Sequence, residues 1–210
     1  MNLKRWKPVK PPFAKYKKKV FAKAASVTGF IYQIGERPIL RIKSAEVPVS
    51  KIRTAVMRKK IKYLKSCLVK YRKLTGNGRG IAAVQVGIAD RFAVVYTPEK
   101  LLIIINPKIT KKSENLLKYP EMCMSAVPVI VPLARPAWIE FDYYDETGSS
   151  KHWNTKDDTK PGRILNRVFQ HEIDHLNGII NVDIVKSPKE LILESDPAFY
   201  KNARFEEVKN

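Results

Sequence analysis

His171-Glu172-Ile173-Asp174-His175 is an HExxH stretch, and its reading decides the fold around it. In a helix, residues four apart share a face, so His171 and His175 can place two imidazoles on one metal ion. The intervening Glu172 can then act on a water held by that ion. Ile164, Leu165, Val168, Phe169, Ile173 and Leu176 recur around the pair, which predicts a helix over 163–176 with a buried apolar face. Two surface histidines would give the same pattern, but on a buried helix bare imidazoles need partners. HExxH alone does not select a reaction, so the third ligand matters. The extended form HExxHxxGxxH keeps its glycine at Gly178 but has Asn181 where its third histidine would stand. Glu190 and Glu194 are downstream candidates, both in a polar stretch. Cys123, in Pro120-Glu121-Met122-Cys123-Met124-Ser125, is the upstream one. A thiolate suits iron or zinc, although a cysteine taken alone equally suits a small buried apolar position.

Further upstream, Gly78-Arg79-Gly80-Ile81-Ala82-Ala83-Val84-Gln85 is a glycine segment ending in an amide. It follows an expected helix and precedes an expected strand, the reverse of a phosphate-binding loop. The helix runs from a cap at Ser50 to about Leu74, because Met57, Ile61, Leu64, Leu68 and Tyr71 recur at three- and four-residue steps. Arg37 to Leu40 reads as a short turn or strand start. Strands are expected over 92–96, 101–106, 127–131 and 138–144, a turn over 145–149, and a last strand over 179–185. One helix, several strands and a second helix, with no βαβ repetition and no internal repeat, give the α+β class.

The chain has 210 residues, 44% of them hydrophobic, which suits one domain with or without an appendage. Two cysteines, Cys67 and Cys123, exclude a disulfide scaffold. No apolar run approaches the roughly 20 residues of a membrane span, so no membrane partner is expected. Charge is the outlier: 40 basic against 20 acidic residues give +20, and residues 1–35 hold nine Lys or Arg and no acid. Such a balance favours polyanions, with ribosomal RNA the expected partner, against the plainer reading of a solvated tail. Pro8, Pro11 and Pro12 predict a basic, flexible arm over 1–30 without helix. The arm lacks the apolar core of a secretory signal. It has one Arg and one Ser, where an organellar presequence is rich in both. A cytoplasmic, bacterial-type protein is therefore expected, with an organelle as the alternative. The division is then arm 1–30, catalytic domain 31–186 and polar tail 187–210.

Taken together, GRGIAAVQ (78–85), EMCMS (121–125) and QHEIDH (170–175) resemble peptide deformylase, whose motifs GxGxAAxQ, EGCLS and QHExDH come in this order. Arg37-Pro38-Ile39-Leu40-Arg41, Ile105-Asn106-Pro107 and Arg135 match as well. The resemblance runs from about Ile34 to Pro188. It implies an α+β fold with the HExxH helix packed among antiparallel strands. It also implies Cys123, His171 and His175 as ligands of one divalent metal, Fe2+ first and Zn2+ as the alternative. By the same resemblance Glu172 is the general base and acid, and Gln85 with the backbone N–H of Met124 stabilises the oxyanion. The implied reaction removes formate from N-formylmethionine at the start of nascent polypeptides.

The chain departs from the family at Met122, where a glycine is usual, and at Arg79, where an apolar residue is usual. Gly78, Arg79, Gly80, Ile164, Arg167 and Val168 fall at positions of the substrate pocket. The stems of Arg79 and Arg167 are expected to pack along its wall with their heads in solvent. The sharper alternative is a pocket narrowed or made cationic. A deformylase-like hydrolase of another N-acyl substrate, or an RNA-binding relative weak in catalysis, are the competing functions. The intact ligand set, Glu172 and Gln85 argue against the second.

Overall fold

A computed structural model describes residues 11–193 and 203–208. Helix α1 (Pro11–Thr28) opens this part of the chain, followed by a short helix α2 (Val49–Ile52) and the long helix α3 (Ala55–Thr75). Strands β1 (Gly80–Ala82), β2 (Phe92–Tyr96), β3 (Leu101–Lys112), β6 (Ile139–Tyr144) and β7 (Ser150–Trp153) form one antiparallel sheet in the order β1-β2-β3-β6-β7. Strands β4 (Leu116–Met122), β5 (Val129–Pro136), β8 (Ile192–Leu193) and β9 (Glu206–Glu207) form a second, in the order β8-β5-β4-β9. Helix α4 (Lys160–Leu176) carries HExxH and lies between the two.

The first sheet is covered on both faces. Met57, Ile61, Leu64 and Leu68 of α3 cluster with Val94, Ile103 and Ile105, while Phe169, Ile173 and Leu176 of α4 cluster with Ala93, Val95, Ile104 and Phe141. Burial on both sides explains why β2 and the first half of β3 are continuous apolar runs rather than alternating ones. Each large side chain buried here contributes about 1.5–3 kcal/mol, and together they clamp α4 onto the sheet.

Several expectations are corrected. The helix predicted from Ser50 breaks at Arg53, because Thr54 competes as a start signal: its hydroxyl accepts from the Met57 N–H at 3.3 Å. The last strand, predicted over 179–185, is a tight 3-10 turn at Asn181–Asp183, closed by the Asp183 carboxylate accepting from the Ile180 N–H at 2.9 Å. The prolines predict an arm without helix, yet residues 11–28 are helical. Pro11 and Pro12 stand in the first turn, where a missing N–H breaks no intrahelical bond. Val20 and Val27 are buried, and α1 packs on α3. Residues 1–10 lie outside the described residues. The polar tail contributes β8 and β9 to the edges of the second sheet.

Strand β4 was not foreseen. Its buried residues are Leu117, Tyr119 and Glu121, so a carboxylate takes a core position and Pro120 interrupts the run. The Val208 N–H donates to the Leu116 carbonyl, which places Leu116 toward β9. Backbone groups alternate along a strand, so Lys118, Pro120 and Met122 face the same edge. β9 and Val208 cover that edge from Leu116 to Lys118. Pro120 therefore withholds no ladder bond, as expected of an edge position.

Candidate active site

Chain geometry brings the three distant motifs to one point. Cys123 follows the end of β4, and its Sγ lies 3.2 Å from Nε2 of His175. The ligand atoms of Cys123, His171 and His175 all fall within 4.8 Å of one another. Glu190, a rival third ligand, instead pairs with Lys118 at 2.6 Å, and Glu194 lies outside the described residues. The donor set fits a divalent cation by its chemistry. Although burial opposes a charge on His171, Cys123 and Glu121 beside it hold its pKa well above the ordinary value. Burial and His171 hold His175 well below, in the neutral form a ligand needs. Nδ1 of His175 and Oε2 of Glu172 are buried without a hydrogen-bond partner among the described residues.

Glu172, one residue past His171 on α4, is buried against the glycine segment. A Cβ on Gly80 would lie 2.5 Å from its Oε1, so only glycine leaves room for the carboxylate. Burial pushes the Glu172 carboxyl up to about 7 against the pull of His171, a value suited to taking and returning a proton near neutrality. Gln85 is fixed at both ends of its amide. Its Oε1 accepts from the Ala82 N–H at 2.9 Å, and its Nε2 donates to Ser125 Oγ at 3.1 Å and lies 3.9 Å from Cys123 Sγ.

A cavity of about 390 Å³ opens beside this cluster. Gly78, Arg79, Gly80, Ile164, Arg167 and Val168 line it, together with Met122, Met124, Gln85, His171 and Glu172. Arg79 is exposed, as expected. Arg167 is not: it is 5% exposed, and its head turns inward. Nε lies 2.7 Å from Glu121 Oε2, Nη1 donates to the Leu117 carbonyl at 3.1 Å, and Nη2 donates to the carbonyls of Tyr119 and Leu133. Burial lowers its pKa to about 10, with Glu121 opposing, so it remains a cation at neutral pH. The correction has a plain cause: the carboxylate that meets this guanidinium lies on the unforeseen strand β4.

Glu121 is the hub that the sequence did not single out. Arg135 reaches it through Nε at 2.6 Å and Nη2 at 3.0 Å, Arg167 reaches it from the other side, and Nδ1 of His171 lies 3.3 Å away. Arg135 also donates to Asp174 of the HExxH helix at 2.6 Å. Despite burial, Arg135 and Arg167 hold the Glu121 carboxyl far below its ordinary range, so it stays ionised and orients the His171 ring.

A family model described as polypeptide deformylase matches residues 30–191. The chain belongs to the polypeptide deformylase family. It is 37% identical over 153 residues to the peptide deformylase of Dictyoglomus turgidum, covering 73% of this chain and 90% of that protein. It is 40% identical over 118 residues to the peptide deformylase of a Picosynechococcus species, covering 54% of this chain but 60% of that protein. The match thus spans less than two thirds of this cyanobacterial relative. Among solved structures, the Synechococcus elongatus peptide deformylase in complex with actinonin superposes with a TM-score of 0.64 at 30% identity, covering 81% of this chain and 84% of that one. The α+β expectation, with the HExxH helix among antiparallel strands, holds for this deformylase-family chain. No described helix is long and apolar enough to cross a membrane.

Proposed function

We propose that this chain is a metal-dependent amide hydrolase that releases formate from the N-terminal formylmethionine of nascent polypeptides. One observation carries the reading: the ligand atoms of Cys123, His171 and His175 lie within 4.8 Å of one another, and His171 and Glu172 both line the cavity. Cys123, His171 and His175 would hold the ion, Fe2+ first and Zn2+ as the alternative, since one thiolate and two imidazoles suit either. When bound, it supplies Lewis acidity toward water and the formyl oxygen.

The chain's own groups do the rest. Glu172 takes the proton of the attacking water and returns it to the departing amine nitrogen. Nε2 of Gln85 and the backbone N–H of Met124 would donate to the oxyanion at the formyl carbon. Gly78, Arg79 and Gly80 on one wall, and Ile164, Arg167 and Val168 on the other, would hold the first residue of the peptide. The test is formate release from formyl-Met-Ala-Ser by protein loaded with Fe2+ and kept anaerobic. Turnover lost on chelation and regained with Fe2+ supports the reading. A metal-loaded, folded protein that releases no formate overturns it, and release from another acyl group only would point to the alternative substrate.

The partner reading includes a polyanion, with ribosomal RNA first. α3 holds eight Lys or Arg and no acid, and α1, packed on it, holds five and no acid. Asp90 and Glu146 pair two of these, Lys60 and Lys65. Lys18, Lys19, Lys59, Lys62 and Lys73 are exposed. Reversing Lys59 and Lys62 to Glu should weaken cosedimentation with ribosomes and flatten its salt dependence, leaving turnover of a tripeptide intact. Unchanged ribosome binding would remove this partner. A cytoplasmic location belongs to the same proposal.

A further inference from the structure

Segment 203–208 lies on the edge of β4 that leads into the cavity. Glu207 pairs with Leu117 and Glu206 with Lys118, antiparallel, and the Val208 N–H closes on the Leu116 carbonyl. Phe205 stacks on Tyr119 with ring centroids 4.4 Å apart. Arg163 covers the same phenyl ring, and Lys160 Nζ donates to the Ala203 carbonyl at 2.9 Å. Two of these anchors, Tyr119 and Lys160, line the cavity.

Among the described residues nothing pairs with this edge beyond β9, where it presents the carbonyl of Pro120 and both backbone groups of Met122 and ends at Cys123. A peptide whose formyl group is at Cys123 must run away from it, toward Leu117. That direction is antiparallel to β4, as is β9. Tail and peptide are therefore successive occupants of one edge, running the same way. From Met122 the edge offers three positions, opposite Met122, Glu121 and Pro120 at about 3.4 Å each, before Phe205 is met at Tyr119.

Resting on the proposed peptide substrate, we propose that residues 203–208 are a displaceable end-stop on the β4 edge. The first three residues of a formyl-peptide occupy the open part of the edge. The fourth residue meets Phe205 at Tyr119, and later ones compete with the tail for Lys118 and Leu116. The segment is thus a length-specificity element for the peptide rather than part of the catalytic machinery.

The test compares formyl-Met-Ala-Ser with a formyl-octapeptide of the same first three residues, in the full chain and in a truncation lacking 203–210. The truncation should raise kcat/KM for the octapeptide about tenfold, through KM, the scale of two or three freed backbone hydrogen bonds. The tripeptide should change by less than twofold. If the truncation does not fold, Glu206→Pro removes one donor of the same pairing and should act in the same direction. An unchanged ratio between the two peptides, or an equal change in both, overturns the end-stop. Amide exchange reads the contact without turnover: the octapeptide should speed exchange at Val208 and the tripeptide should not. Exchange unaffected by the octapeptide overturns the proposal, whereas failure of the full chain to process the tripeptide counts against the activity alone.

Discussion

Arg135 holds Glu121 by two parallel bonds, Nε to Oε2 at 2.6 Å and Nη2 to Oε1 at 3.0 Å, with both side chains buried. Its remaining arm reaches Asp174, one residue before His175. A single guanidinium thus ties β4 and β5 to the HExxH helix. Removing one partner of a buried pair costs about 3–5 kcal/mol, because the other charge is left without compensation. Arg135→Ala is expected to lower Tm by roughly 10 °C or more. Glu121→Gln should keep more of the fold but weaken metal binding about 10–100-fold, read by metal content after dialysis against a graded chelator. Undiminished metal content in Glu121→Gln would remove its orienting role.

Glu172→Ala should bind metal stoichiometrically and lose nearly all turnover, because the change removes a proton carrier and no ligand. Cys123→Ser and His175→Ala should each lose stoichiometric metal. Elemental analysis alongside formate release separates the two outcomes. Full activity in Glu172→Ala would sink the assigned mechanism.

Gly80→Ala places a methyl group 2.5 Å from the Glu172 carboxylate. The carboxylate must move, and a shift of about 1 Å in a reacting group lowers rate on the order of 100-fold. Metal content should stay full and kcat should fall. Unaltered kcat would mean that Glu172 retreats at no cost to its role.

Arg167→Ile restores an apolar wall but strips Glu121 of one cation and leaves the Leu117, Tyr119 and Leu133 carbonyls without this donor. A loss of about 3 kcal/mol, near 10 °C in Tm, is expected. Because the guanidinium is pinned inward, the first-residue preference should change only modestly. A panel of formyl-peptides varied at that residue checks this. A large switch in preference would show that the head reaches the bound side chain.

Much of this was legible where periodicity is local. The face of α3, the α4 helix with its two histidines, and strands β2 and β3 all follow from spacing within a single element. What escaped depended on partners far along the chain. β4 hid because its third buried position is Glu121, acceptable in the core only once Arg135 and Arg167 arrive from β5 and α4. The inward turn of Arg167 escaped for the same reason. The start of α3 differs because Ser50 and Thr54 are both adequate caps by sequence, whereas Ser50 lies inside α2, capped at Pro48, and Thr54 caps α3. Resemblance to the family placed Cys123; its spacing alone left Glu190 and Glu194 open.

Pro120 has a consequence for the company this protein keeps. An unfinished sheet margin normally invites any extended chain, including a second copy of the same molecule, and can seed fibrils. A margin with one donor missing cannot zip continuously, because every approaching strand meets a gap in the ladder halfway along it. The groove beside His171 and Glu172 can thus welcome a brief visitor while refusing to become a seam between molecules.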